Sequence, residues 1–124
     1  MKTKVVLEYP FRCTPGSLFR AIATPLGLKR WFADQVTATD DRYEFSWRKV
    51  TQAARLVHRK TNAYVRYQWD EGDYLEMRIA SHELTGDIVL TVIDFAEDDE
   101  RDECRSLWDM QVDKLKRAIG CPKK

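Results

Sequence analysis

Between Tyr43 and Phe95 the chain sets apolar and polar residues in alternation, segment after segment, with a turn signal between each pair of segments. Tyr43-Glu44-Phe45-Ser46-Trp47 opens the series, and Ala54 and Leu56, with His58 beyond them, continue it past a turn near Lys49 to Thr51. Ala63, Val65, Tyr67 and Trp69 follow, then the turn Asp70-Glu71-Gly72-Asp73, then Leu75, Met77 and Ile79. Leu84-Thr85-Gly86-Asp87 marks a further turn before Ile88 to Phe95, a nearly continuous apolar run that predicts a more central strand. A period of two places alternate side chains on opposite faces of a strand, so each segment has one face to bury. Short turns between such strands predict an antiparallel meander.

The flanks of this series are different. Thr3 to Tyr9 is rich in β-branched residues and closes at Pro10, which predicts a first strand. Thr14-Pro15 then supplies a cap and a first helical position, and Leu18, Phe19, Ile22 and Ala23 recur at helical spacing. Thr24-Pro25 ends that helix, and Gly27 through Asp34 is read as a second short helix. It carries adjacent aromatics, of which Phe32 is expected in the core and Trp31 at a rim, where an indole N–H tolerates a half-wet site. The last segment has Asp98, Asp99 and Glu100 at its start, Lys114, Lys116 and Arg117 near its end, and Gly120 and Pro122 as stops. That order of charge follows the helix dipole. Cys104, Leu107, Trp108, Gln111, Leu115, Ala118 and Ile119 form its predicted apolar stripe.

A strand, two short helices, a meander and one long helix make an α+β order, read as a single domain over residues 1–124. The sheet must cover an apolar face, and the last helix carries the only large complementary stripe. A twisted sheet and a straight helix do not meet everywhere, which leaves room for a gap whose mouth is expected beside the bend between the short helices.

Several function classes are excluded by what the chain lacks. Lysine and arginine number 21 against 20 acidic residues, a formal charge of +1, so no long-range field draws the protein to nucleic acid. Arg48, Lys49, Arg55, Arg59 and Lys60 form the one basic grouping, without an aromatic row beside it. Cys13, Cys104 and Cys121 are an odd number without CxxC spacing, and His58 and His82 belong to no HExxH helix, so neither a disulfide framework nor a metal site is expected. No stretch approaches the roughly 18 to 20 apolar residues that span a bilayer, and no cofactor motif or GxSxG elbow is present. A cytoplasmic protein is expected.

The element order, with TPLGLKRWFAD after the first helix, YEFSW and YVRYQW among the strands, then LTGDIVLTVIDFAEDDE and LWDMQVDKLKRAIG, resembles the START-like domains of the helix-grip superfamily. Birch-pollen-allergen-like proteins, polyketide cyclases and chaperone ATPase activator homologues belong to the same superfamily, and the match is closest to a small bacterial family of unassigned function. The resemblance implies a curved antiparallel sheet wrapped around a long C-terminal helix, with a lipid-like or other small hydrophobic molecule held between them. The chain is short for that group, so a small cavity is expected.

The residues expected to touch such a ligand are Trp31, Phe32, Tyr43, Phe45, Trp47, Tyr67, Trp69, Met77, Leu107, Trp108 and Gln111. Tyr43, Tyr67, Trp108 and Gln111 combine apolar bodies with polar tips that could orient it. Noncatalytic binding of an apolar ligand is the favoured reading, with no catalytic residue assigned. Its alternatives are a module that binds a protein partner or a second copy of itself, and a cyclase-like enzyme drawing its acid or base from Tyr43, Tyr67 or His58.

Overall fold

In a computed structural model, which describes residues 2–81, 84–85 and 87–120, the strands form one antiparallel sheet. They are β1 (Lys2–Phe11), β2 (Gln35–Thr39), β3 (Arg42–Trp47), β4 (Val50–Lys60), β5 (Tyr64–Trp69), β6 (Tyr74–Ser81) and β7 (Ile88–Glu97). Their order across the sheet is β1-β7-β6-β5-β4-β3-β2, so the meander runs from β2 to β7 and β1 closes beside β7. Between β1 and β2 lie α1 (Pro15–Ala23) and α2 (Pro25–Lys29), and after β7 a single 3₁₀ turn (Asp98–Glu100) leads into α3 (Arg101–Ala118). The expected α+β order is observed, with β7 flanked on both sides. The expectations for His82 and Cys121 lie outside the described residues.

Turn chemistry explains the tight hairpins. Asp40, Asn62 and Gly72 take positive φ, which Asp, Asn and Gly accept at low cost. Arg48, at φ 36°, is a less willing residue for that region, and its N–H donates to Asp34 Oδ2 at 2.8 Å, which fixes the β3–β4 turn. Pro10 stands within β1, an edge strand where a missing N–H is tolerated. In β4 the register shifts between Leu56, opposite Tyr67, and His58, opposite Arg66. The alternation read through to His58 therefore breaks: the extra residue turns His58 outward, where it is exposed, and brings Arg59 over the Phe19 ring at 5.1 Å.

The joint between the short helices corrects the sequence reading. Thr24-Pro25 begins α2 as well as ending α1, repeating the Thr14-Pro15 start: Thr24 Oγ1 accepts from Gly27 N at 3.0 Å, as Thr14 Oγ1 accepts from Ser17 N at 3.1 Å. The second helix thus runs over Pro25–Lys29, and Arg30 to Phe32 form the turn after it. The last four carbonyls of an α-helix have no partner within it. In α1 each of them meets a side-chain donor. Thr24 Oγ1 donates to Arg20 O at 2.7 Å, Trp31 Nε1 to Ala21 O at 2.9 Å, the Tyr67 hydroxyl to Ile22 O at 2.7 Å and the Tyr43 hydroxyl to Ala23 O at 3.2 Å. The two helices approach so closely that a Cβ on Gly27 would stand 2.1 Å from Arg20 O and 2.8 Å from Ala21 Cα.

These bonds draw Trp31 inward. It is 4% exposed and Phe32 6%, so both aromatics belong to the core and Trp31 is not the rim residue expected of it. An indole whose N–H already has a buried carbonyl loses nothing by leaving water. On α3 the buried residues are Trp108, Val112 and Leu115, with Cys104 and Ile119 packed against the core beside them. Leu107, placed in the predicted stripe, is 55% exposed, while Val112 takes a buried place that the sequence reading omitted. The stripe is therefore rotated by part of a turn from the one expected. Cys13 and Cys104 are half-buried.

Replacing Gly27 by Ala is expected to destabilise the fold by about 1–3 kcal/mol or more, because backbone rather than a yielding side chain occupies the space; denaturant midpoints would measure it. Tyr67→Phe would leave Ile22 O without its donor and cost about 1–3 kcal/mol at neutral pH. Burial holds the Tyr67 phenol well above its ordinary value and raises Tyr43 as well. A phenol harder to ionise when folded stabilises fully below about pH 10, and that contribution is lost as pH climbs through the folded value. Wild-type stability should fall above about pH 10, less steeply in Tyr67→Phe. Equal slopes would contradict the assignment.

Candidate functional site

The solid packing under α1 and α2 leaves its opening elsewhere, between the β5–β6 end of the sheet and α3. A cleft of about 630 Å³ lies there. Trp47 and Ala53 from β3 and β4, Trp69 from the end of β5, and Leu75 from β6 supply the sheet side. Leu107, Trp108 and Gln111 supply the helix side, and Phe32 reaches in from the segment after α2. The bend at Thr24-Pro25 does not line this cleft; Thr24 lines instead a separate hollow of about 390 Å³ between α1, α2 and the end of α3, to which no sheet residue contributes.

Residues expected to bind ligand divide into two groups. Phe32, Trp47, Trp69, Leu107, Trp108 and Gln111 line the cleft. Trp31, Tyr43, Phe45, Tyr67 and Met77 do not: they are buried in the core and fill the space between the sheet and the short helices. The hydroxyls of Tyr43 and Tyr67, read from sequence as ligand-orienting tips, are engaged by the α1 carbonyls instead. Those engaged phenols and the exposed His58 leave all three acid–base candidates from the sequence away from the cleft.

The aromatic walls are held as one body. Phe32 stacks on Trp108 at 5.8 Å between centroids, meets Trp47 edge-on at 5.4 Å and meets Phe45 edge-on at 5.4 Å; Phe45 meets Trp69 at 5.5 Å. Such tilted and offset contacts match the ring quadrupoles and add about 0.5–1.5 kcal/mol per pair beyond burial. The Phe32 carbonyl takes the Trp47 indole N–H at 2.7 Å and the Gln111 amide at 3.5 Å, one short bond and one long. One carbonyl thereby joins β3, the segment after α2, and α3. The Trp69 indole N–H makes no hydrogen bond with a described residue, which leaves a donor at the cleft without an internal partner.

Asp94 is the functional candidate that sequence reasoning missed. Ile88, Leu90, Val92, Asp94 and Ala96 share one parity of β7, and that parity faces the core, so Asp94 is a carboxylate on the inner face and lines the cleft. The signal was present in the alternation but hidden in IVLTVIDF, whose continuous apolar character masks which face each residue takes. Asp94 Oδ2 accepts the Trp108 indole N–H at 2.8 Å and lies 3.9 Å from Cys104 Sγ; Oδ1 accepts the Phe95 N–H at 2.8 Å. Burial first, and then the Asp94 charge, push the Cys104 thiol up, so it remains a protonated thiol rather than a nucleophile at neutral pH.

The β5–β6 turn places Asp70, Glu71 and Asp73 along the rim, with Lys2 opposite. Asp70 pairs with Arg42, whose hydrogen bond holds its carboxyl below the usual range, and Asp73 pairs with Lys2 at 3.1 Å. Among the described residues no group of three His, Cys, Asp or Glu side chains gathers as a metal site, and no helix is long and apolar enough to cross a membrane.

This arrangement of curved antiparallel sheet, short helices after the first strand and long C-terminal helix agrees with known structures. A solution structure from Bacteroides fragilis is 38% identical, with a TM-score of 0.69, over 99% of this chain and 95% of that one. The Aha1 dimer from Colwellia psychrerythraea superposes with a TM-score of 0.80 at 15% identity, over 94% of this chain and 96% of that one. An AHSA1-like protein from Aeromonas hydrophila gives 0.75 at 15% identity, over 95% and 92% respectively. At that identity the last two establish the fold alone. A comparison with curated proteins gives no match. The START-like superfamily domain matches residues 1–121, nearly the full length, and with the same helix-grip architecture in the structure the chain belongs to the START-like superfamily.

Proposed function

We propose that the chain works as one START-like unit that binds, without chemical change, a small hydrophobic or lipid-like molecule between the sheet and α3. The observation that carries this reading is the cleft itself: about 630 Å³, walled by Phe32, Trp47, Trp69 and Trp108, and open to solvent. Small-molecule sites commonly occupy roughly 300–1,000 Å³ and pair apolar walls with a few polar groups. Here those groups are the Trp69 N–H, the Gln111 amide and Asp94. The aromatic walls are already braced against one another, so a ligand would enter a preformed surface rather than order one.

Self-association or docking of a protein partner is a second reading, favoured by Leu107 and Met110, which stand 55% and 62% exposed on α3. The Colwellia psychrerythraea relative is described as a dimer. In this reading the exposed residues of α3 would be covered by the second molecule.

Freshly purified protein should retain an extractable apolar compound by native mass spectrometry or, once stripped, bind the neutral dye Nile red with enhanced emission. Trp69→Ala should weaken dye binding about tenfold and also cost some stability, since Trp69 packs against the core beside Phe45, so a thermal melt of the variant should accompany the titration. Absence of both bound compound and dye uptake, with a dimer that buries Leu107 and Met110 by light scattering and cross-linking, would favour the second reading.

A further inference from the structure

We infer that the cleft selects a small organic cation, an ammonium or quaternary ammonium group joined to an alkyl or aryl body. This rests on the proposed binding reading and specifies its ligand. The chain as a whole is almost neutral, at +1, yet the cleft gathers four carboxylates, Asp70, Glu71, Asp73 and Asp94, against one ammonium, Lys2. The acidity is therefore a property of this place and not of the composition.

Internal pairing divides the four. Asp70 has Arg42 and Asp73 has Lys2, so those two are balanced. Asp94 is satisfied by neutral donors alone, the Trp108 indole, the Phe95 N–H and the Cys104 thiol, which keep its charge without cancelling it. Glu71 makes no hydrogen bond or ion pair with a described residue. Glu71 thus stands without an opposite charge, and Asp94 shares the Lys2 ammonium with Asp73, so the balance of charge beside the walls made of Phe32, Trp47, Trp69 and Trp108 stays negative, and the faces of those rings also attract cations. The two preferences have the same sign. A cation among these rings is attracted by their quadrupoles, and the carboxylates add attraction that grows as water is displaced. A fatty carboxylate would fit the apolar walls equally well but would meet repulsion from both sources.

Three probes that share an octyl chain separate these effects: octyltrimethylammonium, octanol and octanoate, each titrated into the full chain at low ionic strength and followed by tryptophan fluorescence and calorimetry. Octyltrimethylammonium should bind about tenfold more tightly than octanol, with octanoate weakest. Added salt should weaken the cation and leave octanol nearly unaffected. Glu71→Gln and Asp94→Asn should each lower affinity for the cation several-fold more than affinity for octanol; Glu71 is exposed, so that variant tests charge without a burden on folding. Octanol or octanoate binding as tightly as the cation would overturn the charge preference and leave the apolar-binding reading standing. Failure of all three to bind would overturn both.

Discussion

The last turn of α1 is the constraint on which the remaining architecture rests. Of its four last carbonyls, Arg20 O lies at the exposed side, while those of Ala21, Ile22 and Ala23 would otherwise end unpaired in the interior, and an unpaired buried carbonyl costs about 1–3 kcal/mol. Thr24, Trp31, Tyr67 and Tyr43 supply the donors from four different parts of the chain: the joint itself, the segment after α2, and strands β5 and β3. Satisfying that turn fixes how far the helical pair sits from the sheet, and the same closeness leaves room for no side chain at Gly27.

The location of the cleft follows from this. The hydroxyls of Tyr43 and Tyr67 and the indole N–H of Trp31 are committed to α1, so the half of the fold beneath the short helices is filled. Phe32, next on the same segment and in ring contact with Trp31 at 5.4 Å, stacks on Trp108 and offers its carbonyl to Trp47 and Gln111. The sheet and α3 are thereby propped apart at a defined separation. What remains open is bounded by aromatic faces on the inside and by the acidic β5–β6 turn at the rim. A ligand that is apolar along its body and positively charged at one end matches both boundaries.

Much of this was legible in the residues, and the exceptions have physical causes. Alternation set out the strands, and the acidic start and basic end marked α3. Thr14-Pro15 announces α1, whereas the identical Thr24-Pro25 follows a helical run and so reads as a stop, although it caps α2 in the same way. Which polar tips face a ligand could not be read from parity, because parity assigns a face and not a partner; Tyr43 and Tyr67 point inward as expected and meet backbone there. The rotation that exposes Leu107 and buries Val112 depends on where α3 crosses the sheet, a tertiary choice that an apolar count along the helix does not contain. His58 was lost to a bulge that no residue type announces. Asp94 was legible in principle, since counting by twos from Ile88 reaches it, and the apolar neighbours on both sides concealed it.

The four tryptophans divide by place: Trp31 serves the α1 joint, whereas Trp47, Trp69 and Trp108 line the cleft. Their indole N–H resonances in a nitrogen–proton NMR spectrum report that division directly during titration with an octyl-chain probe. The largest shift should fall on Trp69, whose N–H has no internal partner, with smaller shifts on Trp47 and Trp108 and little change at Trp31. A shift at Trp31 equal to or larger than that at Trp69 would contradict the account and relocate the ligand to the region under the short helices.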